Sequence, residues 1–381
     1  MSVGKRGELG IFTMLVGLCV LPAFGYIAKE GLLSDGIALL TNNRDAPRPS
    51  AVDETVKGVR ISFSGDILVH EAIYRKANTS NGYNFDGNLN KVALAASADI
   101  NICHLETVLS KEEPSTYPRF RTPESLGSAL RINGFHGCSL ASNHSIDYGY
   151  QGIVSTINTL DRYGIRHAGT RKSPLSSKVA LYNAGGITVA HLSYTFSTNG
   201  IKLTEPWHVN MLDIRTILED SKSAKNSSDI VVVSLHFGTE YLQTPDSYQL
   251  QVVRTLTQSR YIDAIVGHHA HVVQPFAMVN AKPVFYGLGN LLSAQEQTYS
   301  PTGNMGVIVT LNFSVVDKVA LFSGYSYLPT IVNSGNWRVE YAANFSPGKI
   351  GLLCDSIANS KSKMVAGVLE QESAKLAKTR C

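Results

Sequence analysis

Five short polar motifs each close an apolar run, and their side chains are of the kinds that hold metal ions. Gly65-Asp66 closes residues 59–64, and His104-Leu105-Glu106 closes residues 99–103. Ser142-Asn143-His144 closes residues 135–141, and His236 closes residues 229–235. Gly267-His268-His269-Ala270-His271 closes residues 261–266. Two carboxylates, an amide and several imidazoles together suit Zn, Mn, Fe or Mg. A carboxylate on a short, fixed loop can bridge two divalent cations. His269 and His271 are two apart, so on a regular strand both side chains point to one side. Sites of this composition hold two ions about 3.5–4 Å apart and clamp an in-line displacement at phosphorus.

Taken singly, most of these residues have a plain structural reading. Gly65-Asp66 after a strand reads as a turn. His236 reads as a hydrogen-bonded core histidine and Glu106 as a helix cap. Three imidazoles within His268–His271 are harder to explain that way, because burying them unpaired is costly. His136 lies inside an apolar run and reads as structural. His70 is the remaining histidine nearest Asp66, while His167, His191 and His208 have no assigned role.

The apolar runs read as buried strands, and in α/β sheets ligands gather at the carboxyl ends of parallel strands. Helix patterns alternate with them over residues 89–96, 124–133, 149–163, 212–222 and 246–258. The clearest is 149–163, where Ile153, Ile157, Leu160 and Tyr163 recur on one face. Residues 178–182 and 187–194 flank Gly185-Gly186 and read as a hairpin. After the histidine cluster, residues 283–287, 306–313 and 319–328 read as strands with no helix between them. Alternation followed by strand upon strand predicts a layered α/β sandwich.

The chain has 381 residues, 44% of them hydrophobic, and a net charge of +4. That is enough for one large α/β unit with ends attached. No basic stripe interleaved with aromatics is present, which argues against nucleic acid as a partner. Lys5 and Arg6 precede an uncharged stretch from Leu9 to Ala28, the pattern of an export signal. Its length is close to the roughly 20 residues that span a bilayer. It reads as a retained anchor, as a signal cleaved near Ala23-Phe24-Gly25, or as a buried N-terminal helix. The expected division is an anchor at 1–30, a linker at 31–56, a catalytic body at 57–345 and a polar tail at 346–381. The five cysteines show no metal-type spacing. Cys103 and Cys138 read as buried thiols, while Cys354 and Cys381 are free to pair in an oxidising compartment.

The motifs together resemble the CapA (PgsA) family of capsule and poly-γ-glutamate synthesis proteins. The strongest stretch is Ser139–Gly149, continuing through Gly152, Thr156, Leu160, Gly164-Ile165 and Gly169-Thr170. His236–Tyr241 with Pro245 and Gln249, then Gly267–Gln274, then Tyr286–Asn290 complete the order. The pattern departs in places. His104-Leu105-Glu106 stands where the family usually has Asn-Leu-Glu. Ser142-Asn143-His144 replaces Asn-Asn-His, and Phe237 replaces the Trp of His-Trp-Gly. Ala270 replaces the Pro of His-Pro-His, and Gly287 replaces a Ser. Asp66 is followed by Ile67 and Leu68, so the Asp-x-His histidine of related phosphoesterases is missing and His70 comes two residues late.

The resemblance implies a calcineurin-like metallophosphoesterase fold and a role in polymer synthesis, attachment or export. It implies a membrane-anchored protein facing outward to the periplasm or cell surface, or a secreted one if the signal is cleaved. The expected partners are the membrane, an anionic polymer or its precursor, and other synthase or export subunits. The arrival of Asp66, Glu106, Asn143, His236, His269 and His271 at strand ends nominates them to hold a divalent metal pair. His104, His268, Glu240 and Asn290 are read as substrate contacts or as supports of those ligands. In related phosphoesterases the histidine of the Asn-His pair sits beside the leaving group, which implies a general acid at His144. Asp147 either orients His144 or caps the following helix. Two other functions stand beside this one: a phosphoester hydrolase with a different substrate, and a non-catalytic scaffold of a synthase complex.

Overall fold

The computed structural model describes residues 57–295 and 302–341. The expected anchor, linker and tail, with Cys354 and Cys381, lie outside the described residues. Strands β1 (Lys57–Ile67), β2 (Ile100–Leu105), β3 (Gly137–Ser139) and β4 (Arg166–Ala168) lie side by side and parallel. The chain then builds a second sheet. β5 (Ala180–Ala184) and β6 (Ile187–Thr195) form the expected hairpin at Gly185-Gly186. β7 (Ile230–His236) and β8 (Ala264–His268) add to β6 in parallel, followed by β9 (Phe276–Val279) and β10 (Lys282–Phe285). Finally β11 (Asn290–Leu292) returns to pair with β1. β12 (Met305–Val316), β13 (Val319–Asn333) and β14 (Arg338–Tyr341) then extend the first sheet by antiparallel pairing. The sheets run β14-β13-β12-β1-β2-β3-β4 and β9-β10-β8-β7-β6-β5.

Side-chain alternation along the strands explains the layering. Val59, Ile61 and Phe63 on β1 and Ile100 and Ile102 on β2 meet Val189, Ile230, Val232, Ala264 and Val266 of the second sheet. The other face of the second sheet, with Val231, Val233 and Leu235, packs on Ile217, Val252 and Leu256. These come from the helices Ile214–Lys225 and Ser247–Leu256. Leu126, Ile153, Ile157 and Leu160, from Ser125–Ile132 and Gly149–Arg162, cover the outer face of the first sheet. Strands buried on both faces read as continuous apolar runs, which is why the sequence showed them so plainly. The result is the expected α/β sandwich, layered helix, sheet, sheet, helix.

Two local expectations need correction. The helix expected over 89–96 is two single turns, Asp86–Leu89 and Val92–Ala95. Asn90 and Lys91 between them both have left-handed backbone, with φ of 49° and 54°, which no continuous helix accommodates. Cys103 and Cys138 are not free thiols. β2 and β3 set them directly opposite each other, with Cα atoms 4.4 Å apart, and they form a disulfide. Among the described residues, no helix is long and apolar enough to cross a membrane.

Candidate metal centre

The period of two that buries Ile100 and Ile102 between the sheets also carries His104 to that face. In the same way Ile230 and Val232 lead to His236, and Ala264 and Val266 lead to His268. Where the interlayer core ends, the apolar side chains thus give way to imidazoles. His104 stacks on His268 with centroids 4.0 Å apart, and on His236 at 4.9 Å.

Asp66 enters from β1, at a register shift beside β11. Gly65 before it is more than a turn residue. A Cβ there would lie 2.3 Å from the Gly289 carbonyl oxygen, so only glycine lets the two backbones meet. The Asp66 carboxylate accepts from three groups of the histidine segment. These are His268 Nδ1 at 3.1 Å, the His269 backbone N–H at 3.2 Å, and His271 Nδ1 at 3.2 Å. Gly267 is equally constrained, since a Cβ would sit 1.9 Å from the Tyr286 carbonyl oxygen.

His269 and His271 reach the site by a route other than strand alternation. β8 ends at His268, and both residues lie beyond it with left-handed φ of 88° and 56°. Left-handed backbone at two non-glycine residues is the kind of strain that functional sites hold. Asn290, fully buried, accepts from His271 Nδ1 at 3.0 Å. Its own amide donates to Gln295 Oε1 and the Gly303 carbonyl, which fixes its orientation. Asn290 therefore supports His271 from behind. Across the site, Asn143 Oδ1 accepts from His236 Nε2 at 2.9 Å.

Glu106 sits at the centre. It is fully buried, and neither carboxylate oxygen has a hydrogen-bond partner among the described residues. His236 Nε2 lies 3.6 Å away and His271 Nε2 3.8 Å away. His268 Nε2 and His269 Nδ1 are also buried without a partner. Unmet buried polar atoms are rare in native proteins, and four in one place need an explanation. A divalent cation supplies one, and the donor set fits it. Three groups have ligand atoms within 4.8 Å of one another: Asp66/His104/His268, His104/Glu106/His236 and Glu106/His269/His271.

The electrostatics agree with that chemistry. Burial raises the Glu106 carboxyl well above its usual range. Burial also acts to raise Asp66, but hydrogen bonds from His268 and His271 outweigh it and hold that carboxyl well below the usual value. Burial pushes His104 and His236 well down and His269 down to about 3, so these imidazoles are neutral. His271 is the exception. Burial lowers its pKa, yet the Glu106 and Asp66 carboxyls raise it to about 10.

His144 Nδ1 lies 2.7 Å from Asp147 Oδ2, and the same oxygen accepts the Phe120 backbone N–H at 2.7 Å. Asp147 thus orients His144. The helix Gly149–Arg162 begins after Tyr148 with no side-chain cap. His70 does not fill the place of the missing Asp-x-His histidine. Its Nδ1 is taken up by the Leu68 carbonyl at 2.9 Å, and it is His268 that meets Asp66. Glu240 is exposed on the loop after β7, near enough for its charge to act on Glu106 and His271 but outside the ligand groups. Two further features have no chemical role assigned from the sequence. Ser139 binds His104 Nδ1 at 2.7 Å, and Phe196, 37% exposed, lies beside His269 and Tyr248 as an apolar lip.

A family model described as bacterial capsule synthesis protein PGA_cap matches residues 60–295. The PGA biosynthesis protein CapA of Bacillus subtilis (strain 168) is 32% identical over 202 residues, covering 49% of this chain and 53% of that protein. The capsule biosynthesis protein CapA of Bacillus anthracis is 31% identical over 182 residues, covering 46% and 44%. The chain thus spans about half the length of these curated relatives. The calcineurin-like phosphoesterase YfkN of Bacillus subtilis aligns with a TM-score of 0.46 at 14% identity, over 81% of this chain and 97% of that one. The family model covers every candidate ligand residue of the site and more than half of the sequence; the chain belongs to the bacterial capsule synthesis protein family, PGA_cap.

Proposed function

We propose that this protein serves capsule or poly-γ-glutamate polymer synthesis, attachment or export outside the cytoplasm, and that it does so through a divalent metal pair in a phosphoesterase-like site. The carrying observation is Glu106, a carboxylate at 0% exposure whose two oxygens have no hydrogen-bond partner among the described residues and whose Oε1 faces two imidazole nitrogens. Asp66, Glu106, Asn143, His236, His269 and His271 would hold the pair, with His268 beside Asp66 where the Asp-x-His histidine is missing. Bound divalent cations would supply Lewis acidity and an activated water. The chain's own residues do the rest. His144, oriented by Asp147, is placed to protonate a leaving oxygen. The Phe196 and Tyr248 rings give the entrance an apolar edge. The Cys103–Cys138 disulfide supports an oxidising compartment, in line with Lys5, Arg6 and the apolar stretch that follows. Anchoring to the membrane and contact with other synthase subunits belong to the same proposal.

The test is elemental analysis of purified protein together with hydrolysis of a panel of phosphomonoesters and phosphodiesters, with and without Mn. Bound metal and metal-dependent turnover support the proposal. Failure to take up Zn, Mn, Fe or Mg at any of several concentrations refutes the metal site. Normal polymer in an Asp66→Ala strain would leave a scaffold role instead.

A further inference from the structure

His104 stands where the family usually carries asparagine, and its ring links two groups. Nδ1 meets Ser139 Oγ at 2.7 Å, and Nε2 meets His236 Nδ1 at 2.9 Å. At one end of this chain, Ser139 Oγ also lies 3.3 Å from the Cys103 carbonyl oxygen. At the other end, His236 Nε2 faces Asn143 Oδ1 at 2.9 Å. His104 and His236 are both essentially without solvent exposure, so water cannot substitute for any of these partners.

Counting donors and acceptors leaves two consistent arrangements. In the first, Ser139 O–H donates to His104 Nδ1, His104 Nε2–H donates to His236 Nδ1, and His236 Nε2–H donates to Asn143 Oδ1. Here the His236 nitrogen that faces the site carries a proton and has no lone pair to offer. In the second, the two links of His104 reverse, and the Asn143 contact is given up because an amide oxygen cannot donate. Ser139 O–H turns to the Cys103 carbonyl, His104 Nδ1–H donates to Ser139 Oγ, and His236 Nδ1–H donates to His104 Nε2. His236 Nε2 is then a bare lone pair. Ser139 can end the chain in either sense because its hydroxyl has both partners within reach.

We propose that Ser139–His104–His236 is a reversible hydrogen-bond chain in which His104 is a positioning residue that sets the tautomer of His236 for metal binding. The two imidazoles and the hydroxyl hold three protons in each arrangement, so the reversal has no net release. Protons shift from Ser139 Oγ to His104 Nδ1 and from His104 Nε2 to His236 Nδ1, while the proton leaving His236 Nε2 and the one regained by Ser139 exchange with solvent, so the total is unchanged. Buried partners that orient a ligating histidine typically change metal affinity by about 10–100-fold when removed. This inference rests on the metal-site reading given above.

The experiment is nitrogen-15 NMR of histidine-labelled protein, metal-free and loaded with zinc alone, together with zinc titration of His104 variants. The expected result is Nε2–H tautomers for His104 and His236 without zinc and Nδ1–H tautomers with it. His104→Leu, checked for folding by circular dichroism, should lose about 10–100-fold in zinc affinity. His104→Gln, whose amide can donate or accept, should stay within a few-fold of the parent. An Nε2–H tautomer at His104 in the zinc-loaded parent overturns the inference, as does unchanged affinity in folded His104→Leu. Should His104→Leu fail to fold, the tautomers of the parent decide alone. A parent that takes up no zinc overturns the metal site itself, which is a different outcome from zinc binding with the wrong tautomer.

Discussion

Glu106→Gln separates the price of an empty metal site from its benefit. Without metal, burial holds the Glu106 carboxyl well above its ordinary pKa of 4.5. Between those two values the folded protein carries a proton that the unfolded chain has lost. The stability from this group is complete below about pH 4.5 and is lost as pH rises toward the raised pKa. Inside that interval each pH unit removes about 1.4 kcal/mol. As pH rises from 5 toward the raised pKa the metal-free protein should lose stability from this source, on the order of 1 kcal/mol or ~2 °C in Tm per pH unit. Glutamine has nearly the same size and no titration, so the variant should lack this part of the slope. The gain reverses once metal is present, because the amide is a far weaker ligand. Metal affinity of the parent should rise about tenfold per pH unit for each proton displaced, and less steeply in the variant. The assay is thermal denaturation of chelator-treated protein at pH 5, 6 and 7, paired with metal titrations at the same pH values. Identical pH slopes for parent and variant in the metal-free state would show that Glu106 is not held protonated, and the reasoning would fall.

Three other substitutions test separate parts of the site. His144→Ala should keep its metal content yet lower turnover by about 10²–10⁴-fold, whereas Asn143→Ala should lose metal affinity, both read by elemental analysis beside initial rates. Removing the disulfide with Cys103→Ser and Cys138→Ser opens a loop of 35 residues, and denaturant titration should register a loss of about 3–4 kcal/mol. Gly267→Ala forces a Cβ to within 1.9 Å of the Tyr286 carbonyl oxygen, so β8 must shift; a loss of about 1–3 kcal/mol with reduced metal content is expected, measured by melting and elemental analysis.

Much of this was legible in the sequence because buried parallel strands announce themselves. Residues 230–235 are buried on both faces and apolar but for Ser234, and a polar residue ending such a run falls at the sheet's carboxyl edge, as His236 does. The helix Gly149–Arg162 was equally plain from its repeat of isoleucine and leucine. What stayed hidden depends on contacts between distant segments. Nothing local pairs Cys103 with Cys138; the register of β2 on β3 does. Strand parity also sends His104 and His268, read as supports or substrate contacts, into one group with Asp66. His269 and His271 were expected to align by strand period, and they converge through left-handed backbone instead. Ser139 was visible only as part of a family motif, since a serine in a strand carries no signal of the imidazole it will meet.

The site is stitched from segments far apart in the sequence. Asp66 and His268 are 202 positions apart, His104 and His236 are 132 apart, and Asn143 and His236 are 93 apart. Contacts of such range form only after long loops have closed, and they give the domain a high contact order and slow folding. Neither sheet alone can assemble the cluster. A cation held between the two halves would bind only the finished molecule and would stabilise every strand of it at once. Metal uptake would therefore read directly whether both sheets have docked.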